Sequence, residues 1–208
     1  MLTVQMAFAQ EVEPVVPGIF VWQVYDTTVK ADLFSTGLET PAGTWLIDPI
    51  DLEAPEREVL RAGPKVAGIF VTNGNHLRAA GKFTNAFGVP IFAHADLAGT
   101  GDWPTSTPVQ DGEVLGTGLH AIAIDGGAAG EMALHWEADA GTMVVGDAVI
   151  NFEPYGFGLL PAKYCQHQKL MRRSLTKLLE YPFERMFFAH GTPILTGARA
   201  RLQHLLKN

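Results

Sequence analysis

An apolar run from Val66 to Val71 ends in the polar turn Thr72-Asn73-Gly74-Asn75-His76-Leu77-Arg78, and a helix-forming run follows from Arg78 to Phe87. This strand–turn–helix unit constrains the fold most, because strands outnumber helices on both sides of it. Before it, Ile19 to Tyr25, Ala31 to Thr36 and Thr44 to Asp48 read as strands separated by Gly, Thr and Pro. Pro55 opens a short helix through Arg61, closed by Gly63 and Pro64. After it, Gly88 stands as a C-cap and Val89 to Ala93 is a short strand.

The second half repeats the style. Leu119 to Ile124 and Met132 to Glu137 read as strands, the latter turning at Asp139-Ala140-Gly141 into Thr142 to Val145. A Pro/Gly/aromatic loop is expected from Asn151 to Tyr164. A helix is expected over Gln166 to Leu179, with Leu170, Met171, Leu175, Leu178 and Leu179 on one face and Lys169, Arg172, Arg173 and Lys177 in water. Arg185 to Ala189 is a strand and Ala198 to Leu206 a final helix. Each half ends in helix, which suits two sheets packed face to face with helices outside.

The bulk properties bound the function. At 208 residues, 47% hydrophobic and 18% charged, the chain is globular and is expected to form one domain over residues 1–208. A net charge of −7 argues against a nucleic-acid footprint or a membrane surface. The single Cys165 cannot form an internal disulfide, which points to a reducing compartment, and the expected location is the cytoplasm. The segment Met1 to Gln10 lacks a basic start and a long apolar core, so it reads as a first strand or ragged lead-in.

Five short stretches resemble the metallo-β-lactamase superfamily, in order and in matching strand contexts. The turn at Thr72–Arg78 is similar to T-H-x-H-x-D-H, with Asn73 and Asn75 in place of two histidines, Leu77 in place of the aspartate and Arg78 in place of the last histidine. Gly43-Thr-Trp-Leu-Ile-Asp48 resembles a strand ending in an aspartate near the family's site. The stretch Ile122 to Glu131 resembles a P-G-H-T-P-G loop, with Gly127 where the third histidine belongs. Val144-Val-Gly146-Asp147 is similar to the strand ending in the bridging aspartate, and His190-Gly191-Thr-Pro193 to the turn that carries the final histidine. The resemblance implies an α/β fold, a four-layer αββα sandwich, with a site at one edge of the two sheets.

A catalytic zinc needs about three protein ligands and one open position. By the resemblance, this chain loses the three-histidine site and keeps only Asp147 and His190 of the other, so it is expected to carry no cofactor, with a single zinc or iron ion as the lesser alternative. Removing the metals leaves Asp147 an uncompensated buried charge, which is costly. Arg78 is expected to fill the vacated space and pair with Asp147, since its planar fork matches a carboxylate. Asn73 and Asn75 are expected to cap the helix that follows. Asp48 is expected to order the site loop. Glu131 either approaches the pocket or faces water.

Catalytic candidates are His76, Arg78, Asp147 and His190; expected pocket residues are Asp48, Asn73, Asn75, Gly127 and Tyr155. Each has a structural alternative: Asp147 as a cap on backbone N–H groups, His76 and His190 as turn scaffold. His94, His120, His135, His167 and His204 lie outside every matched motif and are assigned no chemistry. The aromatic stretches Phe152–Gly158 and Gly101–Thr105 either shape a pocket or cover the core or a dimer partner. The leading expectation is a protein that has lost the dimetal hydrolase ligands and kept a small-molecule pocket or an interaction role. The alternative is a hydrolase of a small ester, thioester or lactone, using either one metal held by Asp147 and His190 with help from His76, or metal-free acid–base chemistry from His76 and His190. A small-molecule ligand and a homodimer both fit this reading; nucleic acid and membrane do not.

Overall fold

The computed structural model describes residues 8–100, 103–152 and 155–207. Its first half is a sheet of seven strands in sequence order: β1 (Glu13–Val16), β2 (Ile19–Asp26), β3 (Ala31–Thr40), β4 (Gly43–Ile47), β5 (Val66–Val71), β6 (Ile91–His94) and β7 (Thr107–Val109). The strands run antiparallel from β1 to β4 and parallel from β4 to β7. Helices α1 (Ala54–Ala62) and α2 (Ala80–Phe87) span the first two parallel steps.

The second sheet contains β8 (Val114–Leu115), β9 (Leu119–Ala123), β10 (Met132–Trp136) and β11 (Thr142–Val145). Beyond it a hairpin of β12 (Val149–Phe152) and β13 (Gly156–Leu159) stands apart. Helix α3 (Gln168–Ser174) then leads to β14 (Arg185–Phe188), which closes the second sheet by pairing parallel to β11, and α4 (Ala198–Lys207) ends the described chain.

Strand alternation sorts the apolar residues into layers. Trp45, Ile47 and Phe70 face inward and meet Leu134, Val144 and Phe187 between the sheets. Their neighbours Leu46, Ile69 and Val71 face outward onto Leu60 of α1 and Phe83 of α2. Met143, Val145, Met186 and Phe188 face the other way, onto Met171 of α3 and Leu202 of α4. Three apolar layers between four structural ones make the αββα sandwich expected from the sequence. None of its helices is long and apolar enough to cross a membrane among the described residues.

Local differences from the sequence reading have local causes. Helix α2 starts at Ala80 instead of Arg78, because Arg78 holds φ +41, outside the helical region. Gly88 ends the helix in the left-handed conformation, as expected. The helix expected over Gln166–Leu179 is α-helical only to Ser174 and tightens to a 3₁₀ helix through Glu180; His167 caps its start by accepting from the Leu170 N–H. The expected loop after Asn151 is instead the β12–β13 hairpin, whose glycine-rich second strand (Gly156-Phe-Gly-Leu159) hides its period. Strands β1, β7 and β8 are too short to show a pattern in the sequence. Residues 1–7 of the expected N-terminal strand or lead-in, Gly101 and Asp102 of one aromatic stretch, and Glu153 and Pro154 of the other lie outside the described residues. Trp103 is half-buried, packs against the α2 core and donates to Ser106 Oγ at 3.2 Å.

Candidate metal centre

Adjacent parallel strands deliver their C-terminal ends to one edge of the sandwich. Asp48 follows β4 and the turn Thr72–Arg78 follows β5 in the first sheet; Asp147 follows β11 and His190 follows β14 in the second. Glu131 immediately precedes β10. The two sheets are tied at this edge by Met132 N–H to Thr72 C=O at 2.7 Å and Gly74 N–H to Ala129 C=O at 2.9 Å.

His76 sits at the centre, 3% exposed. Its Nδ1 is 2.9 Å from Asp48 Oδ2 and 2.9 Å from Thr72 Oγ1. Thr72 donates both its hydroxyl and its N–H to the Asp48 carboxylate, at 2.6 and 2.8 Å. The carboxylate only accepts, so the hydrogen between His76 and Asp48 belongs to Nδ1. That leaves Nε2 aimed at Asp147 Oδ1, 3.1 Å away, and His190 Nε2 approaches the same oxygen at 3.2 Å. His190 is the more open of the pair and its Nδ1 faces Asp32 C=O at 3.2 Å.

The charges support one another. Burial alone works to lower the His76 pKa, but the Asp48 and Asp147 carboxylates override it and raise the value to about 9. Burial likewise works to raise Asp48 and Asp147; the His76 imidazole, with His190 for Asp147, holds both below the ordinary carboxylate range.

Beside this charged group lies a second, nearly neutral one. Glu131 is 2% exposed, accepting from Ala148 N–H at 3.1 Å and from Asn73 Nδ2 at 2.9 Å. Burial, then the neighbouring Asp147 charge, pushes its pKa up to about 8. Its side chain fills the space that a residue other than glycine would need at two positions. A Cβ on Gly127 would lie 2.9 Å from Glu131 Cγ, and one on Gly146 would lie 2.6 Å from Glu131 Oε1. Glu131 therefore occupies the space that the missing side chain at Gly127 leaves, and of the two readings the sequence allowed it takes the site.

Asn73 and Asn75 do not cap α2, whose first turn has no side-chain cap. Asn73 Oδ1 accepts from Asn75 N–H at 2.9 Å, while the two Nδ2 groups donate to Asp147 Oδ2 at 3.2 and 3.3 Å. The amides turn toward the acids because Asp147, buried, needs donors that solvent cannot supply.

Arg78 does not take the role expected of it. Its guanidinium donates to the main-chain carbonyls of Phe34 (2.6 Å), Asp48 (3.0 Å) and Ala189 (3.3 Å), and no ion pair joins it to Asp147 among the described residues. The partners of Asp147 are the two imidazoles and the two amides. Arg78 thus clamps the loop ends of both sheets from behind the site, and the five donors of its fork suit three fixed carbonyls.

Tyr155 is 60% exposed and packs edge-on against Phe152, which in turn lies 6.3 Å from the His190 ring. His94, like His167, accepts a backbone N–H at a helix start. Cys165 lies against Leu160 C=O and Met171 Sδ, and burial raises its pKa. Sequence reasoning misses Thr72 as a partner of His76 and underrates Glu131. The signal for Glu131 is that it is the one new acid in the altered middle loop.

His76, Asp147 and His190 each offer one ligand atom, all within 4.8 Å of one another. The sequence offers two family ligand positions, with His76 as a helper from a turn position that varies in the family pattern, and the structure brings the three together as a candidate ligand set. Two imidazoles and a carboxylate fit one zinc or iron ion with open positions. The Asp48 carboxylate on the far nitrogen of His76 is the outer partner that orients a metal-binding imidazole.

Comparison with curated proteins by sequence returned no match. Among solved structures, the DIM-1 metallo-beta-lactamase matches with a TM-score of 0.72 at 13% identity, over 98% of this chain and 99% of that one. The metallo-beta-lactamase family protein TTHA1429 from Thermus thermophilus matches at 0.68 and 20% identity, over 93% and 80%. TTHA1623, solved in a di-iron-bound form, matches at 0.62 and 22% identity, over 86% and 97%. At such identities these likenesses concern the fold. A family model for the metallo-beta-lactamase superfamily matches residues 14–208, nearly the whole length, and the chain belongs to that superfamily.

Proposed function

We propose that this protein is a hydrolase built on one metal ion, held by His76, Asp147 and His190, and that its substrates are small esters, thioesters or lactones. The observation that carries the reading is the convergence of those three ligand atoms, with Asp48 holding the far side of His76. A zinc or iron ion held by these residues would supply Lewis acidity toward a carbonyl oxygen and lower the pKa of a bound water toward neutrality. The chain's residues do the rest. Asp48 and Thr72 fix the His76 ring, and the Asn73 and Asn75 amides fix Asp147, so the ligand atoms are positioned before anything binds. Glu131, held near its protonated form, keeps a second negative charge away from Asp147 and blocks the neighbouring position. His190, at the open rim beside Phe152, is the first side chain an entering substrate meets.

The test is metal content per chain after equilibration with zinc, iron or manganese and desalting, followed by ester, thioester and lactone hydrolysis. About one ion per chain, with activity that a chelator removes and zinc or iron restores, is the expected result. Near-zero metal overturns the reading. It would favour a binding module, whose support is that Asp147 finds four donors within the protein.

A further inference from the structure

Strand β10 starts beside Glu131, so His135, near its other end, lies remote from the metal centre. There the rings of His135, His120 and Tyr181 cluster with centroids 5.0 to 5.9 Å apart. His135 is 2% exposed, and its Nε2 stands 2.8 Å from the Pro182 carbonyl oxygen. A carbonyl only accepts, so Nε2 carries the hydrogen and Nδ1 keeps a bare lone pair. That Nδ1 is buried and has no partner among the described residues. A proton added there makes a charge with no acceptor, a costly state away from water.

The groups around the ring do little to relieve it. His120 faces it from β9, with its own Nε2 3.6 Å from Glu137 Oε2. The neighbour on β11 is the uncharged Met143, and the Arg199 guanidinium of α4 is engaged by the Tyr181 and Leu179 carbonyls. Burial, helped by His120, holds the His135 pKa below 6.5 against the opposing Pro182 carbonyl and Glu137.

Pro182 lies where the chain enters β14. The Glu184 N–H donates to the Ala140 and Gly141 carbonyls and the Arg185 N–H to that of Gly141, while Arg185 pairs with Asp139 at 3.0 Å. A Cβ on Gly141 would collide with the Pro182 carbonyl, so the link fits closely against this turn. The knot joins the starts of β11 and β14, whose other ends deliver Asp147 and His190.

We propose that His135 is a positioning residue, an acid-sensitive latch that fastens the Pro182 link and so sets β14 against β11. The neutral ring holds the link through its Nε2–H; a proton on Nδ1 is accommodated only when the link lifts and admits water. The consequence for the metal centre rests on the reading above, whereas the latch itself does not. Opening returns the ring to its ordinary pKa of 6.5. The latch's contribution is therefore complete above that value and is lost as pH falls below it.

The experiment is native-state hydrogen exchange on the metal-free full chain, read at the Glu184 and Arg185 amides, with imidazole ¹⁵N spectra alongside. The expected spectra show His135 with its hydrogen on Nε2, titrating below 6.5. Opening at the two amides, corrected for intrinsic exchange, should rise about tenfold or more between about pH 7 and pH 5, while β5 amides do not follow. His135→Gln, whose amide can donate to the same carbonyl and does not titrate, should abolish that rise. His135→Phe, which keeps a ring and loses the donor, should show raised opening already at neutral pH. A His135 that titrates at or above 6.5 overturns the proposal. So does unchanged opening on acidification, a rise shared equally by β5, or an equal rise in His135→Gln.

Discussion

The two halves of the edge site meet at one carboxylate and have opposite chemistry. On the Oδ1 side of Asp147 stand the imidazoles of His76 and His190, with His190 reaching the rim. On the Oδ2 side stand Asn73 and Asn75, with Glu131 behind them, buried and pushed toward its neutral form. The first half leaves ligand atoms pointing at a common space. The second fills its own space with side chains that satisfy one another. The Oδ2 side of the shared carboxylate is thus satisfied within the protein while the Oδ1 side keeps its ligand atoms, because both oxygens have partners.

The sharpest way to break this comparison is to remove a residue from each half and measure metal affinity. His190→Ala, which removes a ligand atom from the imidazole half, should weaken zinc binding by more than about a hundredfold, since losing outer partners alone costs roughly ten- to a hundredfold. Asn75→Ala should change it by less than about tenfold. Calorimetric titration reads both, and equal losses would mean that the amide half also holds the ion.

Next in size is the clamp behind the site. Arg78→Met leaves three carbonyls without their donor and should cost about 3 kcal/mol or more in urea unfolding. Arg78→Lys should recover only part of this, because a lysine cannot fork to three fixed acceptors. Full recovery by lysine would reduce Arg78 to a charge near Asp48.

Proton linkage sharpens the contrast further. A metal must displace the His76 Nε2 proton, so zinc affinity should rise by about tenfold or more between pH 6.5 and 9. Asp48→Asn removes the main support for that proton and should move the rise to lower pH. In the metal-free protein, Glu131 and His76 both bind protons more tightly when folded. Their contribution to stability is complete below the unfolded values of 4.5 and 6.5, and is lost as pH climbs through about 8 and about 9. Asp48 and Asp147 act oppositely: their contribution is present above 3.8 and is lost on acidification. Thermal melts across pH should therefore show stability declining from about pH 4.5 upward, and Glu131→Gln should flatten the part below pH 8. A melt that stays level across that range would show Glu131 ionised in the fold.

The smallest effect belongs to Tyr155. Tyr155→Ala should leave stability within about 0.5 kcal/mol, as at most exposed positions. Any change should appear in KM for bulky substrates and not in metal affinity.

Much of this architecture is legible in the sequence. Val66–Val71, the Gly88 cap and the Thr142–Val145 strand stand where their patterns put them, because apolar runs and glycine signals are local. The β12–β13 hairpin is not legible, since it is stabilised by pairing across strands and its second strand alternates glycine with apolar residues. The helix from Gln168 tightens after Ser174 for reasons a hydrophobic period does not record. At the site, the motifs locate Asp48, Asp147 and His190, but they assign the wrong side-chain partners to Arg78 and the asparagines. An arginine next to a missing metal suggests an ion pair; only the positions of Phe34, Asp48 and Ala189 reveal three nearer carbonyls.

What the sequence determined by itself is the layered sandwich and the edge to which its loops are delivered. Alternating apolar residues must be buried on both faces of each sheet, and that requirement can be read one strand at a time. What only the tertiary structure decided is the chemistry at the edge. His76 offers a ligand atom toward Asp147 and His190 because Asp48, from another strand, holds the far side of its ring. Glu131 becomes a buried, nearly neutral acid because two glycines leave it room. Both outcomes depend on distances between residues far apart in the chain, and no local pattern carries those distances.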